Sequence, residues 1–207
     1  MADTRKIENH KEEVPFSHYV ELFRSLDPQE AAARTGAAFD GAAFTLHLVD
    51  TDYRIYWPEY RIEAKEGAFA LKYLPAQTFL LRYLLEGKAV KATGEFKTFR
   101  EMPWGELYIQ PFTGRCLTRA AFTFATKIPK FCAAMEKLGA TKLPHGDAGY
   151  QLELLPGFAM QILLWAGDDE FPPSAQILYS DNFASGFAPE DRVVAGDLMI
   201  SIVKANL

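Results

Sequence analysis

Apolar residues recur at three- and four-residue spacings in the first stretch of the chain. Tyr19, Leu22, Phe23 and Leu26 predict a helix over residues 16–26. Asp27-Pro28 stops it and starts another: Asp27 suits an N-cap, Pro28 the first helical position, and Gly36 the end of a short helix through Arg34. The period then changes from helical to alternating. Phe44, Leu46 and Leu48, then Tyr53, Ile55 and Trp57, predict two strands joined by a tight turn at Asp50-Thr-Asp52. Ala68 to Tyr73 is a third candidate strand, and Pro75 opens a helix through Glu86 with Phe79, Leu80, Tyr83 and Leu84 on its apolar face.

A similar order follows. Leu117, Ala121, Phe124 and Ile128 keep helical spacing, Pro129 breaks or restarts the helix, and Phe131, Cys132, Met135 and Leu138 carry it to Gly139. Strands are predicted at Tyr150–Leu154, Phe158–Trp165 and Gln176–Tyr179. A last helix begins at Pro189-Glu-Asp191, acidic residues placed where the helix dipole favours them. The pattern thus predicts an α+β fold, mainly antiparallel, of two similar helix–three-strand–helix halves. They cover about residues 15–91 and 117–207 of a single domain, with a connector at 92–116 and a flexible lead-in at 1–14. Arg34-Thr-Gly-Ala37 echoes Lys137-Leu-Gly-Ala140, and Phe44-Thr-Leu-His-Leu48 echoes Tyr150-Gln-Leu-Glu-Leu154. The echoes admit an internal pseudo-repeat, or two units alike by chance.

Composition sharpens this picture. The 207 residues are 49% hydrophobic and 24% charged, which favours a folded globule over disorder. The formal net charge of −5 conceals an asymmetry: Lys88–Leu143 holds ten Lys/Arg against four Asp/Glu, and Pro144–Leu207 two against nine. Two surfaces that complement each other within the fold, or a basic face for an anion or acidic partner, would both produce it. The acidic total argues against nucleic acid. A polar N-terminus without an apolar run, and no apolar stretch of bilayer length, predict no membrane partner and a cytoplasmic setting. Cys116 and Cys132 are too far apart for a Cys-x-x-Cys motif and are expected as reduced thiols.

Candidate chemistry concentrates in Trp165-Ala-Gly-Asp-Asp-Glu-Phe-Pro-Pro173. Three consecutive carboxylates, Asp168, Asp169 and Glu170, at a strand end suit a hard cation with oxygen ligands. Asp147 and Asp181 are placed to approach them, so Asp147, Asp168 and Glu170 are the candidate metal ligands or bases. The competing reading is a turn that caps itself and pairs with an arginine, and it is the stronger of the two. Phe99-Arg-Glu-Met-Pro-Trp104 is the second region: Arg100 suits a bidentate grip on an anion or, more simply, an ion pair with Asp168 or Glu170. Glu101, Trp104 and Trp165 complete the candidate binding set. The four His (10, 18, 47 and 145) are isolated. No zinc, iron–sulfur, phosphate-loop or serine-nucleophile motif occurs, so no cofactor is evident.

Gly146-Asp-Ala-Gly-Tyr-Gln-Leu-Glu-Leu-Leu-Pro156, followed by Leu164-Trp-Ala-Gly-Asp-Asp-Glu-Phe-Pro-Pro-Ser-Ala-Gln-Ile-Leu178, resembles an uncharacterised domain-of-unknown-function family of anaerobic bacteria and archaea. Leu26-Asp-Pro28, Thr93-Gly-Glu95, Phe99-Arg-Glu101 and Phe187-Ala-Pro-Glu-Asp191 resemble it too. Members sometimes sit beside an iron–sulfur module of the corrinoid-protein kind. The resemblance therefore implies a separate iron–sulfur or corrinoid protein as partner, because two distant cysteines cannot hold a four-thiolate cluster. The expectation is a non-catalytic binding or accessory domain linked to metal or corrinoid chemistry. Its cleft would be lined by Phe99–Trp104 and Asp168–Glu170. The alternatives are a small metal-assisted hydrolase and a purely structural interaction domain.

Overall fold

The fold is taken from a computed structural model that describes residues 13–207, with side chains from Pro15 onward. Residues 1–12, most of the expected lead-in, lie outside the described residues. The first helix, α1 (Glu13–Arg24), packs against α3 (Leu74–Glu86). Helix α2 (Pro28–Thr35) starts where the sequence places it: the Asp27 carboxylate accepts from the amides of Gln29 and Glu30, and Gly36 closes it at φ 73°.

Strands β1 (Ala38–Phe39), β2 (Ala43–Leu48), β3 (Thr51–Tyr56) and β4 (Arg61–Ala64) form an antiparallel meander in that order. The partner of β3 is therefore Arg61–Ala64, and the strand expected at Ala68–Tyr73 is absent. Arg61-Ile-Glu-Ala carries almost no alternation because, as an edge strand, it is exposed along most of its length. The apolar residues of 68–73 serve the core from a loop instead: Leu71 is buried, and the Tyr53 hydroxyl donates to the Phe69 carbonyl at 2.7 Å.

The second sheet has five strands in the order β5-β9-β8-β7-β6: β5 (Phe96–Thr98), β6 (Thr141–Leu143), β7 (Ala148–Leu155), β8 (Phe158–Trp165) and β9 (Ser174–Ser180). All neighbours are antiparallel, as an α+β fold requires. The Val49 amide donates to the Leu154 carbonyl at 3.0 Å and links β7 to the turn after β2. The two sheets differ in strand number, because the connector gives β5 to the second.

The connector is also more helical than its Gly, Pro and aromatic content suggests. A 3-10 turn at Phe99–Glu101 is followed by α4 (Gly105–Phe112), a π-helical segment (Thr113–Thr118), α5 (Arg119–Phe124), a 3-10 turn (Ala125–Lys127) and α6 (Ile128–Lys137). Gly105 permits this path, since a methyl group there would collide with the Phe99 carbonyl. Phe99 stacks on Phe112, with ring centroids 4.2 Å apart, which folds the helix back onto the turn before it.

After β9, a single turn α7 (Phe183–Gly186) leads into α8 (Pro189–Ala205). Most of α8 is buried, including all of Asp191–Gly196, and it contacts α3, α4, α5 and α6. A helix buried on nearly every side is a core element. The two charged side chains that open its buried stretch, Asp191 and Arg192, are the fold's most costly placements.

A cleft built on Arg82 and Asp191

The acidic run is held by its own backbone. Asp168 Oδ1 accepts from the amides of Glu170 (2.9 Å) and Phe171 (2.7 Å), and its amide donates to the Phe171 carbonyl at 2.9 Å. These bonds hold the Asp168 carboxyl below its ordinary pKa. Asp147 Oδ2 accepts from the Ala166 amide at 2.8 Å and ties two strand ends together. Asp181 is bound by the amide and hydroxyl of Thr93. Asp169 and Glu170 are exposed, as is His145, and Trp165 is half exposed. Among the described residues no three His, Cys, Asp or Glu gather in a way that could hold a metal ion.

Arg100 does not reach Asp168 or Glu170. It pairs with Glu106 at 3.1 Å across the start of α4, both exposed. Glu101 closes a capping box, accepting from the Thr98 amide and hydroxyl at 2.7 Å each. Asp168→Ala removes the oxygen that accepts from two amides of an exposed turn. It is expected to lower the melting midpoint by no more than a few degrees, readable by circular dichroism.

The charged groups in a setting suited to ligands lie elsewhere. Arg82 leaves α3 between α1 and α8, and its side chain is only 15% exposed. Its Nε stands 3.2 Å from Asp191 Oδ2 and its Nη1 3.6 Å from Glu190 Oε2, and the guanidinium lies 5.3 Å from the Tyr19 ring centroid. Nε is close to the carboxylate but its N–H is not aimed at it, so this buried donor has no hydrogen bond.

The other sheltered arginines behave differently. Arg34 donates to Glu30 and to the carbonyls of Leu84, Leu85 and Gly87. Arg119 donates to Asp197 and Ser201. Arg192 donates from Nε to the Phe187 carbonyl (3.1 Å) and from Nη1 to the Pro103 carbonyl (3.0 Å). Buried polar groups are normally satisfied, and Arg82 alone of these four makes no hydrogen bond among the described residues.

Two clefts meet at this pair. One, of about 430 Å³, is walled by Tyr19, by Pro75 and Thr78 two turns and one turn before Arg82 on α3, by Arg115 of the π-helical segment, and by Glu190 and Val194. The other, of about 310 Å³, runs from Glu86 and Gly87 to Pro103, Trp104 and the α7–α8 junction. Arg82 and Asp191 line both. Trp104 stands 70% exposed in the left-handed region at φ 62°. The Arg192 bond to Pro103 fixes the turn that presents it, joining opposite walls of the second cleft. Of the sequence candidates, Trp104 lies in this cleft, whereas the Asp168–Glu170 loop contributes to neither, contrary to the expected cleft.

Burial pushes the Asp191 carboxyl up to about 7, and the neighbouring Glu190 and Glu86 add to the rise against the opposing Arg82 charge. A buried carboxyl that titrates near neutrality in a cleft marks a candidate functional site.

The model of one family, described as a domain of unknown function, DUF3786, matches residues 27–201. The chain belongs to that family. No curated protein and no solved structure matches it. The DUF3786 span contains Arg82, Trp104, Asp191 and Arg192, while Tyr19 and α1, which wall the larger cleft, precede the matched residues. No helix among the described residues is long and apolar enough to cross a membrane.

No local motif marks this DUF3786 site, because Arg82 and Asp191 are 109 positions apart by their numbers. The usable signal is a charge in an apolar context. Arg82 interrupts Phe79-Leu-Leu81 and Tyr83-Leu-Leu85, and Asp191-Arg192 opens an otherwise apolar helical run.

Proposed function

We propose that this DUF3786 domain is a non-catalytic binding domain that seats a small molecule in the clefts meeting at Arg82 and Asp191. The observation that carries the proposal is the sheltered guanidinium of Arg82, which lines both clefts and makes no hydrogen bond among the described residues. A planar guanidinium held only by loose ion pairs in a concave site is a preformed anchor for a polar ligand. The mixed lining suits the rest of such a ligand: Tyr19, Pro75 and Val194 supply apolar surface, Thr78 and Glu190 polar groups. Nothing in the cleft resembles an activated nucleophile, and the Cys116 thiol is buried and pushed up to about 12.

Native mass spectrometry of the purified chain, with thermal-shift titration of small carboxylates, phosphates, amines and sugars, tests this reading. At least one class is expected to raise the melting temperature, and Arg82→Gln is expected to weaken that ligand by tenfold or more, about 1.4 kcal/mol or more. If Arg82→Gln binds as tightly as the parent, the cleft is not the site. An accessory role beside a separate iron–sulfur or corrinoid protein is supported by the family resemblance alone.

A further inference from the structure

Resting on that reading of the cleft, we infer that the ligand carries an oxyanion, a carboxylate or phosphoryl group, that takes the Arg82 guanidinium in place of Asp191, and that the domain takes up one proton at Asp191 as it binds.

The charges around the larger cleft balance in number, Arg82, Arg115 and Arg119 against Glu190, Asp191 and Asp197, but the arginines are not equally well held. Arg115 and Arg119 share one carboxylate, Asp197: Arg115 Nη2 lies 3.2 Å from its Oδ2, and Arg119 Nη1 donates to its Oδ1. Arg115 lines the cleft and is partly exposed. Arg82 faces two carboxylates, but Glu190 is mostly exposed and 3.6 Å away, and the Asp191 contact is misaligned. An incoming oxyanion would find a guanidinium that makes no hydrogen bond among the described residues, and bidentate pairing with a carboxylate or phosphoryl group is the strongest use of a guanidinium.

The proton follows from the burial of Asp191, whose side chain is 8% exposed. The groups that act on it are Arg82 and Glu86 from α3 and Glu190 on its own helix, with Arg192 adjacent in sequence and Arg115 across the cleft. Of these, Arg82 is the cation that holds it ionised. Once an anion occupies Arg82, Asp191 would be a second buried negative charge beside the first. Its carboxylate takes one proton from solvent, forming one O–H bond, and no other bond breaks. The carboxyl already titrates at about 7, so the uptake lies in the ordinary pH range.

Isothermal titration calorimetry of the full chain with sulfate and, separately, succinate tests the inference. Runs at about pH 7.5 in two buffers of different ionisation enthalpy count the protons exchanged. Sulfate keeps its charge from about pH 6 to 8.5, so its pH profile reports on the protein. The expected result is saturable binding of at least one probe with uptake of most of one proton. Affinity is expected to fall about tenfold per pH unit above about pH 7. Tighter sulfate binding points to a phosphoryl ligand, tighter succinate binding to a carboxylate. Arg82→Gln is expected to weaken binding at least tenfold, and Arg82→Lys to weaken it less by keeping charge without the fork. Asp191→Asn is expected to bind with no proton uptake and a flat pH profile. Should Arg82→Gln fail to fold, Arg82→Gln/Asp191→Asn removes both charges and should show the same loss.

Binding unchanged by Arg82→Gln overturns the site. Parent binding without proton uptake overturns the exchange with Asp191. If neither anion binds but another ligand class is lost in Arg82→Gln, the oxyanion is overturned and the binding domain stands.

Discussion

Arg192→Met is expected to destabilise the domain by about 3–5 kcal/mol, lowering the melting midpoint by roughly 10 °C. Arg192 is 2% exposed and holds the carbonyls of Phe187 and Pro103. Methionine fills much of the space but donates nothing. Two carbonyls then lose a charged donor inside the fold, and Asp191 loses a neighbouring cation. The Tyr179 hydroxyl bond to the Arg192 carbonyl, 2.9 Å, uses the main chain and survives the exchange. The loss should therefore be uneven. Hydrogen exchange is expected to accelerate in the turn at Met102–Gly105 and at the α7–α8 junction, and much less in the β7–β8 hairpin. Urea melts that shift by less than about 1 kcal/mol would show that these carbonyls find other partners.

Stability is expected to fall as pH rises from about 4 to 7, and Asp191→Asn to abolish most of that fall. The Asp191 carboxyl is raised from 3.8 to about 7 in the folded protein, so the folded state binds its proton more tightly than the unfolded chain does. The stability this lends is complete below about pH 4 and is lost as pH rises through about 7, by up to about 4 kcal/mol. Asp40, Glu101, Asp168 and Asp181 run the other way. Hydrogen bonds lower their pKa values, so their contribution is present above about pH 4 and lost on further acidification. Between about pH 5 and 7, Asp191 is thus the shifted carboxyl among the described residues whose contribution changes most. Denaturant melts of parent and Asp191→Asn across that window check the sign: the two curves should diverge with rising pH, with the variant gaining. Parallel curves would place the titrating group elsewhere.

The clefts and the cost of Asp191 belong together. A carboxylate forced into a buried first turn of α8 beside a misaligned arginine is a poor arrangement for stability alone. It becomes useful when the arginine has something else to hold. The π-helical segment fits the same view, since it carries Arg115 to the cleft wall and such segments often occur at functional positions.

Much of the element order was legible in the chain. Asp27-Pro28 and Gly36 bound α2, Pro189 opens α8, and β8 runs over Phe158–Trp165 as its apolar stretch indicates. Each rests on interactions within a few residues: an amide capped by a side chain, a proline without a donor, a pleat that sends alternate side chains to one face. The misses are of another kind. Arg61–Ala64 pairs with β3 despite its weak pattern, the loop at 68–73 fills the core despite its strong one, and Gly105 permits a helix in a stretch rich in breakers. For the site, the sequence pointed to the turn of Phe99–Trp104, whose Trp104 does line a cleft, and to the Asp168 loop, whose carboxylate caps its own turn.

The sequence by itself determined the class of fold and most of its helices and strands, because those depend on neighbours along the chain. Only the tertiary structure decided which charges would be buried together. Arg82, Asp191 and Arg192 gain their properties from burial and from partners brought in by α1, α3, the Pro103–Trp104 turn and α8, and neither burial nor a distant partner is written in local spacing.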